Sequence, residues 1–170
     1  MVSDEDISFM RRAFALAGTA AYSARPNPHV GCVLVRDQVV IGEGYTCPPG
    51  GNHAEIQALE SAGDARGATA YVTLEPCSHS GLTGPCTEAL INAGISKIFV
   101  ALEDPNPLVS GKGLARMAAA GLQIKTGILS EEAATLIAGY IARMRRGRGR
   151  VRAKLAMSLD GRTSMPSGES

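Results

Sequence analysis

The sequence predicts an α/β fold in three layers, α/β/α, with helices on both faces of a mixed sheet whose later strands are parallel. Two observations carry this. From residue 53 onward, apolar patterns of helix length alternate with patterns of strand length, the order that builds strand–helix–strand units. Before them, two β-rich runs stand only a turn apart, which predicts an antiparallel hairpin. A length of 170 residues suits one compact domain with a short appendage. Such a domain buries about two-thirds of its unfolded surface, so neither disulfides nor a metal is needed simply to hold a core.

The elements follow in order. Ser3 and Asp6 have the form of a capping box, and Ile7, Met10, Phe14 and Ala17 then recur at helical spacing. The prolines of Arg25-Pro26-Asn27-Pro28 forbid continuation of that helix. Residues 30–35 and 39–45 read as strands about a turn at Asp37-Gln38, followed by a Pro/Gly-rich loop over 47–52. A helix is expected over 53–62, closed by Gly63, and a strand over 68–73 that runs into Leu74-Glu75-Pro76-Cys77. Further helices are expected over 86–93, 113–120 and 130–146, with strands over 97–102 and 122–126. Ser130 would cap the last helix, with Glu131 and Glu132 in its first turn. Gly147-Arg148-Gly149 reads as a linker, and residues 151–158 as a new strand, as if the chain were cut where a second domain begins.

Charge narrows the partners. With 17 basic and 16 acidic residues, nothing global favours a nucleic acid or a membrane surface. The acidic start does not resemble a secretory signal, and no apolar run reaches the roughly 20 residues of a spanning helix. A cytoplasmic location is the expectation, and the four cysteines are then thiols or metal ligands.

Three segments carry chemistry: His53-Ala54-Glu55, Pro76-Cys77 and Pro85-Cys86. One imidazole and two thiolates suit tetrahedral zinc, and three protein ligands leave a fourth position for water. His53 and Cys86 each stand at an expected helix start, where partial positive charge favours a thiolate. Zinc-bound hydroxide would then be available at neutral pH, with Glu55 positioned to carry its proton to a ring nitrogen and to the departing amine. This His-x-Glu plus Pro-Cys pattern is the signature of zinc deaminases that act on nucleobases. Singly, His53 could be a capping histidine, Glu55 a solvated carboxylate, and the cysteines buried thiols. Cys32 reads as a core residue of a strand. Cys47 is the one alternative fourth ligand, which would make the zinc structural and the protein a non-catalytic, zinc-stabilised interaction module.

Beyond that signature the chain resembles the riboflavin-biosynthesis deaminase family. The resemblance lies in Asn27-Pro28-His29-Val30-Gly31, His53-Ala54-Glu55, Thr73-Leu74-Glu75-Pro76-Cys77-Ser78-His79, Pro85-Cys86 and Glu103-Asp104-Pro105-Asn106-Pro107-Leu108-Val109. Eight residues separate Cys77 from Cys86, as in that family, whereas other nucleobase deaminases place two there. The family is usually the N-terminal half of a bifunctional deaminase/reductase, and residues 154–162 and 167–170 are similar to the opening of its reductase domain.

The resemblance implies a cytidine-deaminase-like fold, a deaminase domain over 1–146, and a linker with the first strand of an incomplete reductase domain over 147–170. It implies one zinc per chain, and NADPH only where a complete reductase domain is present. The implied small-molecule substrate is 2,5-diamino-6-(5-phosphoribosylamino)pyrimidin-4-one, deaminated at ring carbon 2. Asn27, His79, Asp104 and Asn106 would help hold it. Another pyrimidine, a nucleoside or a tRNA base is the alternative substrate, and a homo-oligomer stays open.

Two positions depart from the family pattern: Leu82 stands where a Lys or Arg is usual, and Thr46 where many members carry histidine. Leucine supplies no charge to a phosphate. Either another group holds the phosphate, with Lys112 and Arg116 as candidates, or affinity or substrate differs. The arginines at 143, 145, 146, 148, 150 and 152 form the one charge cluster. It lacks interleaved aromatics, and the chain has no tryptophan, so a solvated helix end and linker is the expected role rather than a nucleic-acid surface.

Overall fold

The computed structural model describes residues 2–78, 84–107, 109–164 and 167–168. Helix α1 (Asp4–Thr19) opens with the predicted capping box: the Asp6 amide donates to Ser3 Oγ and the Ser3 amide to Asp6 Oδ2. It stops well before the prolines, at Thr19, whose hydroxyl donates back to the Leu16 carbonyl. Strands β1 (Gly31–Arg36) and β2 (Val39–Tyr45) form the hairpin. Both turn residues, Asp37 and Gln38, take positive φ (51° and 63°), as a type I′ turn requires although neither is glycine.

Helix α2 (Ala54–Ala62), β3 (Thr69–Val72), α3 (Cys86–Asn92), β4 (Lys97–Val100), α4 (Lys112–Ala119) and β5 (Gln123–Thr126) follow. The sheet order is β2-β1-β3-β4-β5, antiparallel through β1–β3 and parallel from β3 to β5, as the alternation predicted. Strand alternation splits the core between the two faces. Cys32, Leu34, Ala70, Val72, Ile98 and Val100 meet α2, α3 and α4 through Ala58, Leu90 and Met117. Val33, Val35, Tyr71 and Phe99 face the other way, against Met10 and Ala13 of α1. Tyr71 stacks on Phe99 with ring centroids 4.9 Å apart, and its hydroxyl donates to Asp6 Oδ1 at 2.7 Å.

Helix α2 lies close on β2 because Gly44 has no side chain. A Cβ there would sit 2.2 Å from the Ala54 carbonyl oxygen. This contact fixes the start of α2, and with it His53 and Glu55, against the sheet.

Three expectations near the C-terminus fail. The helix expected over 130–146 is broken at Ile137 (φ −106°, ψ 27°) into α5 (Ser130–Leu136) and α6 (Ala138–Arg146). Ala133 packs in the α1-side core, while Ile137, 4% exposed, packs with Tyr140 and Ile141 in the α2-side core. One straight helix cannot reach both faces of a sheet, so the chain bends where it crosses the edge. Ser130 caps nothing: Leu129 holds the N-cap position in left-handed geometry, with no side-chain hydrogen bond. The strand expected over 151–158 is also absent; those residues are exposed and pair with no other strand. Among the described residues, no helix is long and apolar enough to cross a membrane.

Candidate metal and deaminase site

Three segments converge at one end of the sheet. His53 occupies the N-cap position of α2, Cys77 lies in the loop after β3, and Cys86 is the first residue of α3. His53 Nδ1 is 3.2 Å from Cys86 Sγ and 3.6 Å from Cys77 Sγ. The three ligand atoms all lie within 4.8 Å of one another, and no other His, Cys, Asp or Glu joins them among the described residues. Zinc–sulfur bonds of about 2.3 Å and zinc–nitrogen bonds of about 2.0 Å at tetrahedral angles separate such donors by roughly 3.5 Å. The donor set and its spacing fit zinc.

Cys47 stands apart from this cluster. Its sulfur accepts from Gln57 Nε2 at 2.9 Å, so a fourth thiolate ligand is not part of the arrangement.

The electrostatics link these groups. The Cys86 thiol donates to Cys77 and holds the Cys77 pKa well below the usual thiol range, against burial and with help from His53 and from the Cys86 backbone N–H at 3.3 Å. Cys86 is pushed up in turn, first by Cys77, then by burial and the Glu55 charge. The hydrogen bond with Cys77 raises His53. One thiolate thus shares its neighbours' protons, and a divalent cation would replace those protons. Glu55, only 4% exposed, is raised to about 7, first by burial and then by the negative Cys77.

A cavity of about 340 Å³ opens onto this cluster. His53, Glu55 and Cys77 line it, while Cys86 lies buried behind them. Of the residues singled out for substrate, Asn27, Asp104 and Asn106 line the same cavity, and His79 lies outside the described residues, as does Leu82. Thr46 joins the wall, with its hydroxyl accepting from the Val30 amide at 2.9 Å. Neither Lys112 nor Arg116 lines it, and Arg116 pairs with Glu88 at 2.7 Å.

Glu75 and α6 have roles that motif reading missed. Glu75, 4% exposed, accepts four backbone N–H groups: Asp104 and Gly111 on Oε2 at 3.1 and 3.0 Å, Gly113 and Leu114 on Oε1 at 2.9 and 3.3 Å. It therefore ties the segment carrying Cys77 to the Asp104 loop and to the start of α4. The closeness depends on Gly113, where a Cβ would sit 2.3 Å from the Pro76 carbonyl oxygen. A lone acid between an apolar strand and a proline was the available signal, since no nearby cation is there to partner it. Helix α6 adds Tyr140, Arg143 and Met144 to the cavity wall.

The comparisons agree with this geometry. The family described as cytidine and deoxycytidylate deaminase zinc-binding region matches residues 3–102. The chain is 50% identical over 167 residues to the riboflavin biosynthesis protein RibD of Escherichia coli (strain K12), covering 98% of this chain and 46% of that protein. It is 46% identical over 143 residues to the diaminohydroxyphosphoribosylamino-pyrimidine deaminase of Buchnera aphidicola subsp. Acyrthosiphon pisum, covering 84% of this chain and 97% of that one. Among solved structures, Acinetobacter baumannii RibD superimposes with a TM-score of 0.92 at 51% identity, over 98% of this chain and 47% of that one. The chain thus spans about half the length of the RibD proteins it matches. With its His/Cys/Cys cluster and its five-stranded mixed sheet, it belongs to the zinc-binding cytidine and deoxycytidylate deaminase family, on the side of the riboflavin-biosynthesis deaminases.

Proposed function

We propose that this chain hydrolytically deaminates 2,5-diamino-6-(5-phosphoribosylamino)pyrimidin-4-one. The observation that carries this is the placement of Glu55: its carboxylate is buried beside the His/Cys/Cys cluster yet lines the cavity. His53, Cys77 and Cys86 would hold zinc. Zinc bound there supplies Lewis acidity, bringing the pKa of water from about 16 toward 7.

The chain's own residues do the rest. A Glu55 oxygen takes a proton from the attacking water and passes it to the ring nitrogen beside the carbon under attack. As the carbon–nitrogen bond breaks, the same carboxylate takes the remaining proton of the newly added hydroxyl and gives it to the departing amine, so the carbonyl forms, water is consumed and ammonia is released. Burial raises this carboxyl above the usual carboxylate range, which suits both directions of transfer. Asn27, Asp104 and Asn106 line the space beside it and would orient the pyrimidine and ribose. The step is a hydrolysis with no net oxidation or reduction, so a nicotinamide has no part in it. Residues 1–146 form the deaminase unit on this reading, and 147–170 lead toward a reductase domain.

Two measurements test the reading. Glu55→Ala should retain one zinc per chain while ammonia release is abolished; loss of the fold instead would favour a structural zinc module. Mass-resolved assays of the phosphorylated diaminopyrimidine, its dephospho form and cytidine, side by side, test the substrate. Preference for cytidine would overturn it.

A further inference from the structure

We propose that Arg143 of α6 holds the phosphate monoester of the substrate at the mouth of the cavity, an assignment that rests on the phosphoribosylaminopyrimidine reading above. The cavity has a buried end and an open end. Glu55 marks the floor, and the exposed Arg143 stands on the rim. A substrate with its amine-bearing ring at the floor projects its ribose and phosphate toward that rim. Among the described residues, Arg143 is the one lysine or arginine that lines the cavity.

Two contacts place its side chain. The Arg143 guanidinium carbon lies 5.8 Å from the centroid of the Tyr140 ring, one helical turn earlier, so it rests over an aromatic face. The Tyr140 hydroxyl donates to Asp104, also in the cavity wall, at 3.0 Å, and this secures α6 across the opening. The charge of Arg143 is not consumed by a carboxylate, since it forms no ion pair among the described residues. A planar guanidinium matches the oxygens of a phosphate dianion in bidentate fashion. The bend at Ile137 produces this placement by turning α6 away from the axis of α5 and onto the α2-side core.

The test uses the full chain with Arg143→Met and Arg143→Lys. Arg143→Met should raise KM for the phosphorylated diaminopyrimidine roughly 10- to 100-fold, with Arg143→Lys between it and the unaltered chain. The preference in kcat/KM for the phosphorylated over the dephospho substrate should collapse with it. Titration calorimetry with ribose 5-phosphate and with ribose reads the same contact without turnover: Arg143→Met should lose ribose 5-phosphate affinity selectively. Equal weakening of both sugars, or undiminished ribose 5-phosphate binding in Arg143→Met, overturns the proposal. Failure of the unaltered chain to deaminate the pyrimidine would instead refute the substrate reading, while the calorimetry still decides on Arg143.

Discussion

The Tyr140 hydroxyl donates to both carboxylate oxygens of Asp104, at 3.0 and 3.3 Å, and so joins α6 to the loop after β4 across the cavity. Asp104 also accepts from the Asn106 amide at 2.8 Å, which shapes that loop. Tyr140→Phe removes the hydroxyl and keeps the ring beneath Arg143. A hydrogen bond to a charged group is worth about 1.5–3 kcal/mol when buried, and this one is partly solvated. The expected outcome is a KM for the phosphorylated substrate raised about 3- to 10-fold, with the larger share of the change in KM rather than kcat. Steady-state kinetics at several substrate concentrations check this.

Glu75 is the buried post on which the site stands. Truncation to alanine leaves four backbone N–H groups without their acceptor, at a residue only 4% exposed. Each unsatisfied buried donor costs on the order of 1–3 kcal/mol, with partial relaxation of the loop. Glu75→Ala should lower unfolding free energy by roughly 3 kcal/mol or more, and Glu75→Gln by less, since it keeps one acceptor oxygen. Urea denaturation monitored by far-UV circular dichroism decides between these values. A change under 1 kcal/mol for Glu75→Ala would refute the tether.

Which parts were legible in the sequence follows from how local each signal is. The β1–β2 hairpin and the starts of α2 and α3 rest on neighbouring residues, and so do the ligands that those starts present. The broken helix could not be read this way. Ala133, Ile137, Tyr140 and Ile141 have the spacing of one apolar stripe, yet the first faces α1 and the others face the α2-side core. Only the path of the chain around the sheet edge separates them. The same break hides Arg143 within an arginine run that looked like a solvated helix end. Glu75 was visible as a letter in the Leu-Glu-Pro-Cys motif, but its partners lie 29–39 residues away.

Metal removal separates stability from chemistry. The candidate ligands come from the start of α2, the loop after β3 and the start of α3, so zinc would cross-link three segments that the core already holds. A ligand present at a thousandfold excess over its Kd stabilises by about 4 kcal/mol, which for a domain of this size is roughly 8–16 °C in Tm. Chelation is expected to lower Tm on that scale and to abolish ammonia release, while the far-UV spectrum at 20–25 °C is retained. Zinc addition should restore both. Complete unfolding on chelation would show that the metal, rather than the sheet core, holds the domain.

The acid limb of stability has a contribution from Asp6. Burial pushes its carboxyl up, but the hydrogen bonds from the Ser3 amide, the Tyr71 hydroxyl and the Ser3 hydroxyl outweigh it, and the net shift is down. A carboxyl lowered in the folded state stabilises wherever it is ionised in both states, above its unfolded value near 3.9. That contribution is lost as pH falls from the unfolded value through the folded one, because in that window the unfolded chain takes up a proton that the folded state does not. Asp6→Asn keeps the shape of the capping box and removes the charge. The difference in urea midpoint between the unaltered chain and Asp6→Asn should be constant between about pH 5 and 7 and shrink as pH drops below about 4. A difference independent of pH down to about 2.5 would mean that the Asp6 hydrogen bonds act without regard to ionisation.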